Sequence, residues 1–391
     1  MRSIVSLSAV AAVMALFPAC KGPQANSVVV GEYAMSLIND TTQTEYQIVS
    51  ASRSRNIHGE ISVIGEPEAS LLISESLLTC DRFDNISGRA KSDGLPDFAG
   101  ETISPILDRF NGSYAKIVAS GKEDLLSEIN VRNYVAALDT ACYLNAYDKD
   151  KIVQKSGAKL VILSSVLSSA FGYDDIDTLN ALTGSKVKVI SPVHAMLDEA
   201  WEACGEGMNI GVWTTSDVLQ SGVYAKVFDK MRDQRGDKTA KYTVFTPAQD
   251  STVINRFLDF MQKYADSEEK GRLQALIVDD LSVPVEELRE AVKSVLAVDQ
   301  DSYITYVNYI DPEFKVIGFE ESVAMACYKF LRGDNAFTHK IAYPQVNLYV
   351  TAASEHDSSY VTVELKDKYL TEDLRNLMIV STPKIFSEYV R

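Results

Sequence analysis

One grammar recurs along this chain and limits the folds open to it. A short run of β-branched and apolar residues leads into a small polar turn, and then into a segment with helical periodicity. Residues 61–64 precede Gly65-Glu66-Pro67 and a helical stretch in which Leu72, Leu77, Leu78 and Phe83 share a face. Residues 159–163 run into Ser164 and Ser165, then into a helix over 175–182. The pattern returns at 187–190, 209–213, 241–245, 273–278 and 314–317, each time with a helix after it. Strands alternating with helices predict α/β architecture, here as two lobes with largely parallel sheets flanked by helices. Period-two alternation over 346–352 and 360–365, around Glu355-His356-Asp357-Ser358, predicts a C-terminal antiparallel hairpin covering the edge of a lobe. The units expected are a first lobe at 58–192, a second at 193–310, and a return segment with the hairpin at 311–391.

The N-terminus reads as an address. MRSIVSLSAVAAVMALFPAC carries Arg2, an apolar stretch from Ile4 to Phe17, and then Pro18 before Cys20. That stretch is too short to span a bilayer and has the layout of a secretion signal. The surroundings of Cys20 resemble a lipoprotein signal, with Phe17-Pro18 departing from the usual leucine. The resemblance implies that residues 1–19 are removed and that Cys20 is lipidated, with 20–57 as a linker. Acyl chains contribute roughly 0.8 kcal/mol per buried methylene, so a multiply acylated Cys20 holds the chain at a membrane without a spanning helix. The expected location is the bacterial cell envelope, with the soluble part in the periplasm or at the cell surface.

The chain beyond Cys20 has about 370 residues, enough for two medium domains. A formal charge of −16 argues against nucleic acid as a partner and against an electrostatic grip on anionic lipid. Cys80, Cys142, Cys204 and Cys327 are far apart among apolar neighbours and read as buried thiols. The four histidines show no ligand spacing, so neither a metal nor a cofactor is expected. The G-x-S-x-G, Walker and dinucleotide glycine patterns are missing too.

The chemistry-bearing residues stand just beyond the predicted strands. In open α/β sheets ligands bind outside the carboxyl ends of the strands, where turns and helix N-termini face a crevice. Ser164 and Ser165 occupy such a turn, as do Thr214, Thr215 and Ser216, and also Asp279 and Asp280. Ser216 is placed to cap a helix starting at Asp217, and the hydroxyls are of the type that holds a carboxylate.

The order of elements resembles the aspartate/glutamate racemase superfamily, two-lobed α/β enzymes that bind an amino acid between lobes. NIGVWTTSDVLQSGVYAKVF, residues 209–228, is similar to that family's strand, threonine turn and helix. AKLVILSSVLSSA resembles the strand carrying its first catalytic cysteine, and ALIVDDLSVPVEEL the strand carrying its second. Position by position, Ser164 and Asp280 stand where the two cysteines stand, Ser165 replaces an asparagine and Ser282 a histidine. A serine hydroxyl is far less acidic than a thiol, so the resemblance implies a related fold without two-thiol racemisation. Asp280 as a single base, or Ser164 as a nucleophile, are the catalytic roles left open. The segments 159–170, 187–192 and 314–334 also resemble type I periplasmic solute-binding proteins, which hold small molecules between hinged lobes and need no catalytic group.

SDGLPDFAGETI, residues 92–103, puts Asp97 in a loop expected to fold over the site. Asp174, Asp175 and Asp177 read as the acidic start of a helix, and Tyr303, Tyr306 and Tyr309 as half-buried packing. The reading that joins these features is a lipid-anchored envelope protein. It has a racemase-like fold and binds a small polar, carboxylate-bearing ligand in an inter-lobe cleft. Its alternatives are a solute-binding lipoprotein working with a transporter, and an envelope protein acting through partners with a vestigial cleft.

Overall fold

The computed structural model describes residues 30–365, apart from 55, 146–147, 251, 269–270, 298–303, 341 and 355–358. Cys20 and the signal-like segment lie outside the described residues, as does Tyr303. The chain begins with α1 (Glu32–Asn39) and α2 (Thr44–Ala51), then β1 (Glu60–Gly65), α3 (Pro67–Thr79) and β2 (Thr102–Leu107). Next come α4 (Tyr114–Ala119), α5 (Glu123–Leu138), β3 (Ala141–Asn145), β4 (Asp148–Gln154), β5 (Ala158–Leu163), α6 (Tyr173–Thr183) and β6 (Lys188–Ile190). The second sheet's region runs α7 (Pro192–Cys204), β7 (Asn209–Trp213), α8 (Ser216–Ser221), α9 (Val223–Arg235), β8 (Lys241–Phe245) and α10 (Val253–Asp266). It continues through β9 (Leu273–Val278), α11 (Val285–Leu296), α12 (Ile304–Val307), β10 (Ile310–Gly318) and α13 (Phe319–Gly333). The chain then returns to the first sheet as β11 (Gln345–Val346), β12 (Tyr349–Ala353) and β13 (Tyr360–Glu364).

The first sheet has the order β4-β3-β13-β12-β2-β1-β5-β6, with β11 also on β2; the second has the order β10-β9-β7-β8 and is parallel throughout. Strands β1 and β5 are buried along their whole length, as expected of parallel strands covered by helices on both faces. Helix α3 begins with Pro67 at its first turn, where a missing N–H costs nothing, and α6 ends at Gly184 in the left-handed conformation. Pro105 sits inside β2 although proline cannot donate to a ladder. The neighbouring chain breaks between β11 and β12 just there, which removes the demand for that donor.

Three features differ from the sequence reading. The hairpin β12/β13 is antiparallel as expected, but it lies inside the first sheet, with β12 on β2 and β13 on β3, and covers no edge. Tyr349, Val350 and Val363 are buried, and an edge position would have left part of that apolar surface wet. Residues 32–51, expected as linker, form two helices that pack on α5 and α6 through Ala34, Leu37 and Val49. Strand β10 carries the second sheet past the boundary expected at 310, because its Val316 and Ile317 pair with β9.

One apolar cluster runs through both lobes: Ile61, Val63 and Ile162 from the first sheet join Ile210, Val212 and Ile277 from the second. Helix α13 packs on both α3 and α7 and joins the halves. Below the first sheet Lys159 is fully buried, with its ammonium on Glu101 (2.7 Å) and on the carbonyls of Ile57 and Ala336 (both 2.9 Å). Removing one member of such a pair leaves an uncompensated buried charge. Lys159→Ala is therefore expected to destabilise the protein by about 3–5 kcal/mol in urea unfolding, with Lys159→Met/Glu101→Gln losing clearly less.

Candidate active or ligand-binding cleft

Ladder hydrogen bonds carry the order of both sheets one residue past the strands. The amide of Ser164 donates to the Ile64 carbonyl (2.8 Å), Asp108 to Gly65 (2.8 Å), Thr214 to Phe245 (3.1 Å) and Asp279 to Trp213 (3.2 Å). The first residue of each turn is thereby fixed to the sheet, and only the later ones belong to free loop. Gly65 has φ +136°, and a Cβ there would sit 2.5 Å from Ser164 Oγ, so only glycine lets β1 and β5 close over this turn.

Between the two sheets these ends enclose a hollow of about 390 Å³, lined by Ser164, Ser165, Thr215, Asp279, Asp280 and Glu66 among others. Thr214 is buried behind Thr215 and is not part of the lining. Ser216 is also outside it: this residue is exposed and opens α8, whose N-cap is Thr215, with no side-chain hydrogen bond from either cap candidate. Asp97 lies elsewhere. Its carboxylate accepts from the amides of Arg82 (2.9 Å) and Phe83 (3.0 Å) and from Cys80 Sγ (3.1 Å), so it ties its loop to the end of α3 and covers no ligand.

The catalytic roles considered for Ser164 and Asp280 are not supported by their surroundings. Ser164 is fully buried, and its hydroxyl accepts from that of Ser70 (2.8 Å), which is no base. Asp280 has both oxygens engaged: Arg256 reaches Oδ2 at 2.5 Å, while the amide and hydroxyl of Ser282 donate to Oδ1 at 3.0 and 2.6 Å. A carboxylate committed on both oxygens is not free to take a proton from a ligand.

Asp279, placed past β9 by the sequence but given no role there, carries the freer chemistry, and Glu66, not singled out in the sequence, lines the same hollow with both oxygens already accepting hydrogen bonds. Asp279 is only 5% exposed, accepts from the Tyr224 hydroxyl at 2.6 Å, and leaves Oδ1 without a hydrogen-bond partner. Burial pushes its carboxyl up to about 7, although the nearby Thr214 hydroxyl favours the ionised form. Burial likewise raises Glu66 above the usual carboxylate range, against donors at Tyr114 N (3.1 Å) and Ser165 Oγ (3.0 Å). Asp279 was legible only as the neighbour of Asp280, and Arg256 only as one position in an amphipathic helix.

The charge of the lining is one-sided. Glu66, Glu68, Asp217, Asp279 and Asp280 contribute five carboxyl groups, and the lining contains no lysine, arginine or histidine. Arg256 behind it is committed to Asp280. With Asp280 paired to Arg256, the side chains left unpaired in the lining are acidic, which favours a cation over the carboxylate expected from the hydroxyls.

Two other hollows do not share this position. One of about 800 Å³ lies at the opposite, N-terminal ends of β7, β8 and β9, beside Asn209, Lys241 and Gln274. A smaller one of about 200 Å³ adjoins His194, whose ring bonds Ser191 (2.6 Å), stacks on Tyr173, and is pushed down to about 4 by burial.

No family model matches this chain, and neither does any curated protein. Solved structures it is similar to include glutamate racemases and arylmalonate decarboxylase. Glutamate racemase isoform RacE1 from Bacillus anthracis is 16% identical over 76% of this chain and 90% of its own, with a TM-score of 0.40. The enzyme from Francisella tularensis, in complex with D-glutamate, is 11% identical over 77% and 90%, with a TM-score of 0.42. Arylmalonate decarboxylase is 11% identical over 70% and 91%, with a TM-score of 0.33.

The buried carboxyl of Asp279 makes stability depend on pH in a definite direction. Unfolded, the group ionises near 3.9; folded, it keeps its proton to about 7, so the folded state binds the extra proton between these values. Its contribution is intact below about pH 4 and is lost as pH rises to about 7, by on the order of a few kcal/mol. Urea unfolding at stepped pH is expected to show this decline in the parent protein and a flatter profile in Asp279→Asn.

Proposed function

We propose that this protein is a lipid-anchored envelope protein that binds a small, polar, amine-bearing molecule in the cleft between its sheets, without two-thiol chemistry. The observation that carries this reading is the lining itself, with five carboxyl groups, no cationic side chain, and one buried carboxylate oxygen lacking a partner. A buried polar group without a hydrogen bond costs free energy, and an ammonium supplies the missing donor and the missing charge together. The exposed hydroxyl of Thr215 supplies a further polar contact.

The alternative of a solute-binding protein serving a transporter is less well supported. It needs lobes that swing apart, and the apolar cluster continuous from Ile61 to Ile277 would have to be opened to water. The anchor at Cys20 rests on the signal-like sequence before it.

Two measurements test the reading. In a thermal-shift screen, primary amines and amino-acid amides are expected to raise the melting temperature, and carboxylic acids of matched size are not. A ligand at a hundred times its dissociation constant adds about 2.7 kcal/mol, a shift of several degrees. Stabilisation by the acids alone would overturn the amine assignment. Cys20→Ser is expected to move the protein from the membrane to the soluble fraction after cell lysis, with unchanged amine binding.

A further inference from the structure

The cleft has more structure than an acidic hollow. Its carboxylates come from separate elements: Glu66 and Glu68 from the start of α3 on the first lobe, Asp279 and Asp280 from the end of β9 on the second, and Asp217 from α8. No three of the described acidic, histidine or cysteine side chains converge closely enough to hold a metal ion. The remaining lining includes Ala69, Val166, Leu167, Val218, Leu281 and Phe319, which is an aliphatic and aromatic surface. Charge at separate elements with apolar wall in the same hollow calls for a ligand that has positive groups joined by hydrocarbon.

We propose that the cleft binds an aliphatic diamine or polyamine, with one ammonium at Asp279 on the second lobe, another at Glu66 and Glu68 on the first, and the methylene chain against Leu167 and Phe319. This deepens the amine reading above and rests on it. At Asp279 the ammonium approaches a carboxylate whose Oδ1 is buried near the Thr214 hydroxyl and accepts no hydrogen bond, while Tyr224 keeps Oδ2. At the first lobe Glu66 is already oriented by Ser165 and by the Tyr114 amide, so little further ordering is needed. Removing the methylenes from water is favourable in itself, so the linker adds affinity that ammonia or a metal cation cannot gain.

The test is calorimetric titration of the full-length protein in detergent at low salt. The probes are 1,4-diaminobutane, 1,5-diaminopentane, spermidine, butylamine and magnesium chloride. The diamines or spermidine are expected to bind at least tenfold more tightly than butylamine. Asp279→Asn is expected to bring diamine affinity down to about the butylamine level, and so is Glu68→Gln in part, a change at an exposed residue that leaves folding intact. Butylamine binding as tightly as the diamines would overturn the two-ended site while leaving an amine site standing. Absence of binding by every amine would overturn both. Magnesium displacing the diamine at equal concentration would make the site one for metal cations and overturn the proposal as well.

Discussion

The apolar cluster shared by the two sheets is the constraint on which everything else in the molecule depends. It draws Ile61, Val63 and Ile162 of one sheet, and Ile210, Val212 and Ile277 of the other, into one body with helices α3, α7 and α13. Protein interiors are packed as densely as organic crystals, so such a cluster fixes spacing and angle together. Salt bridges cross the same boundary: Glu321 of α13 meets Arg82 after α3 (2.7 Å), and Asp174 of α6 meets Lys230 of α9 (2.5 Å). The exposed pairs contribute little energy, whereas the shared core contributes much. The strand ends of the two sheets therefore face one another at a separation set by packing, and the cleft is what remains between them.

That geometry also explains why buried strands end in hydroxyls. The residues of the turn after β5 are buried, and their backbone and side chains find most of their partners within the protein. Ser164 pairs with Ser70, Ser165 with Glu66, and Ser168 with Asn130, while Ser169 accepts from the Val193 amide at the start of α7. Four short side chains thus close the junction between β5, α3, α5 and α7. Most of their hydrogen-bonding capacity is spent on the fold, and Ser165 alone among them supports a charged group of the cleft.

The alternation of strand and helix was legible because period and length are local properties: the parallel strands, the helices after them and the hairpin can all be read from residue order. Partners were not legible. Nothing near Asp280 in sequence announces Arg256, which arrives from α10, and nothing near Asp97 shows that three donors around Cys80 hold it in place. The interior position of the hairpin escaped for the same reason, since alternation reveals a buried face but not which strands lie on either side. Ser164, Ser165, Thr215 and Asp280 do meet at one hollow, because turns just past the parallel strands of facing sheets open toward the space between them. Their chemistry depended on contacts made across the fold.

Asp279 and Asp280 show how far such contacts decide function. They are adjacent and chemically identical, and both are buried. Asp280 turns toward α10 and finds a guanidinium, so its charge is balanced within the protein. Asp279 turns toward α9 and finds a phenol, which donates a hydrogen bond but carries no charge, and burial holds its carboxyl protonated to about 7 in spite of that hydrogen bond. The protein has thus balanced one charge and left its neighbour unbalanced beside the cleft. An unbalanced buried carboxyl stays protonated unless a cation reaches it, and the other carboxylates around the hollow favour a cation there over an anion.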